Sequence, residues 1–304
     1  MKRILISVLG CALLAAVTAQ AKINIVATLA DFGTIAEQIG GDKVKVTSLA
    51  RGTEDSHFVD ARPNHVVTLN KADLLLEGGA DLEVGWLPPL VNSARNGKIL
   101  TGARGRVVMA DGIRLLEVPT TPVDRSMGDV HPLGNPHFWL DPENARVMAA
   151  HVTDVLANLD SKDADFFRAN LKRFDTRLAQ QLAGWEKLLE PYRGTKIITY
   201  HKSFEYFAER FGLDVVGQLE PKPGIEPSPT HINSLVPRAK EAGVKLVIIE
   251  PYRPRKTAEH VANLIGAKLL ILPEKVGGNP QAKDLFTLLD YDINQIVSAL
   301  KAAK

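Results

Sequence analysis

Apolar positions along the chain fall into two rhythms. Short continuous apolar runs of strand length recur, and between them lie longer stretches in which apolar residues return every three or four positions. The runs form two blocks. The first holds predicted strands at Ile23–Leu29, Val44–Ala50, Ala72–Gly78 and Arg106–Ala110, and the second at Lys196–His201, Leu213–Leu219, Val244–Glu250 and Ala267–Pro273. Strands alternating with helical segments call for a mostly parallel sheet flanked by helices, and four strands suffice for a small lobe. Lys22–Gly40 and Lys196–Gly212 both read as strand, turn, helix and glycine stop, which suggests two lobes of similar architecture.

Between the blocks, Asp141-Pro142-Glu143-Asn144 is a helix start, with Asp able to accept from free N–H groups and Pro tolerated in the first turn. From Lys162 to Leu189 a helical spacing carries Phe166, Phe167, Leu171, Phe174, Leu178, Leu182, Trp185 and Leu189. A helix of that length measures about 40 Å and can act as a spine between lobes. Pro- and Gly-containing loops occupy Val118–Pro136 and Glu220–Pro229, and Ser228-Pro229 repeats the cap-then-proline device ahead of another helix. The expected organisation is a leader over 1–21, an α/β lobe over 22–140, a linking helical segment over 141–192 and a second α/β lobe over 193–304.

The leader changes the chemistry available. Lys2 and Arg3, the apolar stretch Ile4–Val17 and Ala19-Gln20-Ala21 make a charged, apolar and small-residue sequence typical of a cleaved signal peptide, so a periplasmic protein is expected. The apolar run is short for a membrane span, and nothing later approaches the ~20 apolar residues a membrane helix needs. Cys11, the only cysteine, lies inside this leader, where Val8-Leu9-Gly10-Cys11 loosely resembles an acylation motif. Once the leader is removed no thiol remains, and any metal must rest on imidazole and carboxylate. Loss of Lys2 and Arg3 also lowers 37 basic residues to 35, equal to the 35 acidic ones, so nucleic acid is not an expected partner.

Eight histidines are present. His151 and His260 fall inside amphipathic helices, His65 follows Pro63, His231 follows Ser228, and His131 lies in a loop; all five read as surface or structural residues, with His131 notable for lying six positions before His137. The other three stand where an open α/β sheet binds ligands, beyond the carboxyl ends of strands. His57 follows the second strand, His137 sits in Asn135-Pro136-His137-Phe138-Trp139-Leu140-Asp141-Pro142, and His201 closes Lys196–Tyr200. One belongs to each block and one to the junction, so they can meet only between lobes. Glu250 and Glu274 end the last two strands, and either could complete a tetrahedral nitrogen and oxygen shell suited to Zn²⁺.

At these residues the sequence resembles the metal-binding periplasmic proteins of ABC importers, the family of the ZnuA-like and TroA-like proteins. Asp55-Ser56-His57 with Arg62-Pro63, Ala72-Asp73-Leu74 to Gly78, Leu82-Glu83, the Asn135–Pro142 run, Tyr200-His201-Lys202-Ser203 to Phe211-Gly212-Leu213 and Ile249-Glu250-Pro251 carry the likeness over nearly the whole mature chain. The resemblance implies two lobes joined by one long helix, metal held between them, a membrane permease as partner, no catalysis and no organic cofactor, and a monomer is expected. It places metal ligands at His57, His137 and His201, with Glu274 as the nearest counterpart of the fourth and Glu250 or water as alternatives. Manganese-type members place a carboxylate at the third position, so His201 favours Zn²⁺ over Mn²⁺. Two departures stand out: the histidine-rich loop of many zinc-uptake members is missing, with only His131 in that region, and Ser56 replaces the proline that commonly precedes the first histidine.

Two other functions fit the residues less well. A secreted zinc hydrolase needs an open coordination position beside a general base, and no H-E-x-x-H or comparable motif is present. A two-lobe protein for an organic solute would be expected to line its pocket with aromatic side chains, and only 6% of this chain is aromatic. Imidazole ligation further predicts release of metal in acid, because each ligand must be neutral to bind.

Overall fold

A computed structural model of the chain describes residues 21–124 and 127–302. Residues 1–20, which hold Cys11 and nearly all of the expected leader, lie outside the described residues. All eight predicted strands form: β1 (Ile23–Ala27), β2 (Val44–Ser48), β3 (Leu74–Glu77), β4 (Arg106–Val108), β5 (Lys196–Thr199), β6 (Asp214–Gln218), β7 (Leu246–Ile249) and β8 (Lys268–Ile271). They make two four-stranded parallel sheets, ordered β2-β1-β3-β4 and β6-β5-β7-β8. The two orders are the same, so the similarity of the two blocks extends to topology. β3 and β7 are interior strands buried at every position, and accordingly they read Leu-Leu-Leu-Glu and Leu-Val-Ile-Ile without alternation.

Helices α1 (Ala30–Gly40), α2 (Pro63–Asn70) and α3 (Leu87–Ala94) accompany the first sheet, and α6 (Glu205–Phe211), α7 (Pro229–Ala242) and α8 (Arg255–Ile265) accompany the second. Between the sheets run α4 (Asn144–Leu159) and the 26-residue α5 (Ala164–Leu189); α9 (Leu285–Ala302) ends the described chain. The predicted spine is present, and Phe167, Phe174, Leu178, Leu182, Trp185 and Leu189 are its buried stripe. Phe174 meets Phe286 of α9 with ring centroids 5.5 Å apart, and Trp185 Nε1 donates to Asp290 Oδ1 at 2.6 Å. On its other flank Asn170 Nδ2 donates to the Ile39 carbonyl of α1 at 2.6 Å. One apolar core therefore runs from the first sheet through α5 to one face of the second, while Ile198, Val247, Ile249, Leu235 and Val261 build a separate core on the opposite face.

The starts of two helices can be compared with expectation. Ser228 caps α7 as predicted, its Oγ accepting from His231 N at 3.2 Å, with Pro229 in the first turn. Asp141 does not cap α4. Phe138–Leu140 form a separate 3₁₀ turn, Asp141 Oδ1 accepts from Glu143 N at 3.0 Å, and the same carboxylate is held by Arg210 at 2.7 and 2.9 Å, so the helix proper begins at Asn144. No helix among the described residues is long and apolar enough to cross a membrane.

Where the two halves meet, backbone lies on backbone. A Cβ at Gly52, in the loop after β2, would stand 2.1 Å from the Gly277 carbonyl carbon and 2.3 Å from Gly278 N, so only glycine allows this approach. Nearby, Asp31 Oδ1 of α1 accepts from Val276 N at 3.0 Å, and Trp139 Nε1 donates to the Glu274 carbonyl at 2.7 Å.

Candidate metal centre

The loops beyond the carboxyl ends of both sheets converge, and His57, His137 and His201 meet there. Each offers a ring nitrogen within 4.8 Å of those of the other two, and all three residues are buried, at 8%, 1% and 3% exposure. Ring centroids are 5.1 Å apart for His57 and His137, 5.4 Å for His57 and His201, and 5.1 Å for His137 and His201. His57 Nε2 and His137 Nε2 stand 3.2 Å apart.

Two of the imidazoles are aimed by a second contact, and the third is anchored through its backbone. His137 Nδ1 lies 2.9 Å from Asn135 Oδ1, which also accepts from His137 N; the oxygen fixes hydrogen on Nδ1 and leaves Nε2 free to ligate. Asn135 is itself held through Lys202 O and the Tyr206 hydroxyl. His201 Nδ1 lies 2.7 Å from Glu220 Oε2, the carboxylate–histidine pairing that strengthens a ligating imidazole. The backbone N–H of His57 is tied to Asp55 Oδ1 at 3.0 Å.

The electrostatics divide the trio. Burial, with the neighbouring imidazoles adding to it, pushes the pKa of His57 well below the ordinary histidine value; burial does the same to His137 despite the opposing field of Glu274. Both rings are therefore neutral at physiological pH. Burial also lowers His201, but the Glu220 hydrogen bond and charge, together with Glu250, outweigh it and leave His201 raised.

Glu274 and Glu250 lie beside the cluster and are shifted in opposite directions. Burial alone would raise Glu274, but Lys275, whose Nζ is 2.7 Å from Oε1, and the Tyr252 hydroxyl at 2.8 Å hold its carboxyl far below the usual range. Its other oxygen, Oε2, is buried without a hydrogen-bond partner. Burial and the charge on Glu274 raise Glu250, whose Oε1 accepts from Ser203 Oγ at 2.6 Å. Neither glutamate belongs to the three-residue group whose ligand atoms lie mutually close.

Of the remaining histidines, His231 Nε2 lies 3.0 Å from the Gln218 carbonyl, a structural role, and His151 and His260 lie on α4 and α8. His131 departs from its bland reading. It stacks on His57 with centroids 4.9 Å apart, its Nε2 is buried without a partner, and it lines the same cavity as His137, His201, Asp129 and Lys202. Burial lowers its pKa to about 4. Its six-residue distance from His137 was the only signal for this in the sequence. The roles of Asp55 and Glu220 went unread as well, although Asp55 two positions before a histidine has the spacing of a side-chain-closed turn.

A buried set of imidazoles backed by an amide oxygen and a carboxylate, between two α/β lobes, has the geometry of a metal-binding site. Comparison with known proteins makes the chain a metal substrate-binding protein of an ABC transporter, not an enzyme. The family described as zinc-uptake complex component A, periplasmic (ZnuA) matches residues 25–299, and the chain belongs to that family. A solved ZnuA structure superimposes with a TM-score of 0.77 at 26% identity, covering 91% of this chain and 99% of that one. The Cd-bound periplasmic metal binding protein of Candidatus Liberibacter asiaticus gives 0.76 at 21% identity, covering 92% and 100%, a likeness of fold. In sequence, the manganese ABC transporter substrate-binding lipoprotein PsaA of Streptococcus pneumoniae is 23% identical over 291 residues, covering 93% of this chain and 91% of the relative. The metal ABC transporter substrate-binding lipoprotein FimA of Streptococcus parasanguinis is 24% identical over 307 residues, covering 98% and 95%.

Proposed function

We propose that the protein captures Zn²⁺ outside the cytoplasm on His57, His137 and His201, with Glu274 Oε2 as fourth ligand, and delivers it to the membrane permease of its transporter. The observation that carries this reading is the spacing of the nitrogens. Two imidazole nitrogens each ~2.05 Å from a tetrahedral ion stand about 3.3 Å apart, and His57 Nε2 and His137 Nε2 are separated by 3.2 Å. Three neutral imidazoles and one carboxylate suit zinc better than manganese, which favours oxygen-rich octahedral shells. Glu274 supports the fourth position through its ionised state and its unpartnered oxygen. The ligands come from one chain, so a monomer suffices. The leader-like segment and the description of the family as periplasmic support capture in the periplasm.

Competition titration against a chelator tests the assignment. One equivalent of Zn²⁺ is expected to bind, more tightly than Mn²⁺, and Glu274→Gln is expected to lose at least about tenfold in zinc affinity, about 1.4 kcal/mol. Preference for Mn²⁺ would overturn the choice of cargo, and parent-like zinc binding by Glu274→Gln would remove the fourth ligand.

A further inference from the structure

Beside the histidines, three carboxylates converge on one guanidinium. Arg253 places Nη2 3.2 Å from Asp55 Oδ2, Nη1 3.2 Å from Glu220 Oε1 and Nε 3.7 Å from Glu250 Oε2. Its side chain is 13% exposed, and the guanidinium stands 5.3 Å from the Tyr200 ring and 5.2 Å from the Tyr252 ring. Two of its partners are already committed to the imidazoles. Asp55 Oδ1 accepts from His57 N, and Glu220 Oε2 contacts His201 Nδ1. Asp55 lies in the loop after β2 of the first sheet, whereas Glu220 follows β6 of the second. An unbroken chain of contacts therefore runs His57–Asp55–Arg253–Glu220–His201 across the junction of the two halves.

We propose that Arg253 is a positioning residue for cargo binding, which ties the His57 loop of one lobe to the His201 support of the other and so assembles the ligand nitrogens before the cation arrives. The inference rests on the three-histidine reading above. The planar guanidinium suits the task because its two Nη groups reach separate carboxylates, Asp55 and Glu220, in a fixed spread that a single lysine ammonium cannot reproduce. Arg253 also fixes Glu220, and through it the His201 tautomer that directs Nε2 at the metal.

The proposal opposes simple electrostatics. A cation buried beside a cation site repels the cargo, so if Arg253 acted only through its charge, removing it would tighten metal binding. If it positions the ligands, removing it weakens binding, as loss of supporting partners around metal ligands does by about 10–100-fold.

The test measures zinc affinity by chelator competition and zinc release by stopped flow, on full-length mature protein given Zn²⁺ alone. Arg253→Gln is expected to bind about 10–100-fold more weakly with correspondingly faster release, and Arg253→Lys, which keeps the charge and loses the fork, about tenfold more weakly. In an Asp55→Asn/Glu220→Gln background the further loss on Arg253→Gln is expected to shrink below about threefold, since the partners it organises are gone. Circular dichroism of the metal-free variants reports folding, and Arg253→Lys carries the test should Arg253→Gln not fold. Binding by Arg253→Gln as tight as or tighter than the parent would overturn the proposal, and so would a loss that persists undiminished in the double-variant background. His137→Ala, whose hydrogen bonds go to Asn135 and His57 and not to Asp55, Arg253 or Glu220, separates the two levels: parent-like zinc affinity in His137→Ala defeats the three-histidine reading, whereas weak binding there with parent-like Arg253→Gln defeats only the role of Arg253.

Discussion

Single residues show how burial sets charge in this protein. Lys275 is 1% exposed, yet its ammonium is matched by Glu274 Oε1 at 2.7 Å and Ser56 Oγ at 2.9 Å, so the ion is tolerated. Asp292, inside α9, is fully buried with both carboxylate oxygens unpartnered, and burial pushes its pKa well above the ordinary aspartate value. Because the folded state holds this proton more tightly than the unfolded chain, the native state binds more protons between the two pKa values, and stability falls as pH rises through that window. Asp292→Asn removes the ionisation while keeping the shape. It is expected to stabilise the protein by about 1–3 kcal/mol at neutral pH, with the gain vanishing towards pH 4, as read from urea denaturation across that range. The positions of His57, His137 and His201 were legible because each follows a predicted strand or precedes a predicted helix. The contacts of Asp55, Glu220 and Lys275 were not, since they join residues far apart in sequence whose meeting depends on how the halves dock.

At the level of elements, the interior strands β1, β3, β5 and β7 were readable because interior parallel strands are largely apolar runs, and α5 because its stripe keeps period for 26 residues. The start of α4 was read a little early: the Asp141 carboxylate does accept a backbone N–H, that of Glu143, but in a turn ahead of the helix where Arg210 of α6 also binds it, a tertiary partner invisible in the local sequence. Equally hidden was the meeting of the Gly52 loop with the Gly277-Gly278 turn, where backbone packing requires glycine. Gly52→Ala is expected to push these loops apart. A loss of about 1–3 kcal/mol in stability, together with weaker zinc binding, should follow, measured by denaturant unfolding and by titration of the same variant. Unchanged values for both would show that the loops do not depend on this approach.

For the whole molecule, continuous core along α5 and α9 holds the lobes in one piece, while the polar junction carrying Lys275, Arg253 and the histidines lies between the strand ends. Metal binding at the proposed site is expected to be coupled to protons. His57 and His137 are held neutral by burial, so His201, whose pKa is raised, is the first of the three to compete for a proton as the pH falls. A protonated ligand cannot bind, so zinc affinity is expected to decline by about one decade per pH unit once the solution passes below the His201 pKa, starting above pH 6.5. Competition titrations between pH 5.5 and 8 read this directly as a slope. The relatives named for manganese and the family described for zinc uptake carry different cations in their names, and the proposal of zinc for this chain rests on the third histidine.

X-ray absorption at the zinc edge of the metal-loaded protein measures the ligand shell itself. Three imidazoles and one oxygen donor at about 2.0–2.1 Å, with one imidazole lost in each of His57→Ala, His137→Ala and His201→Ala, is the predicted result. A shell of oxygen donors alone, or one unaltered by these substitutions, would place the metal elsewhere and contradict the convergence of the three histidines on a single cation.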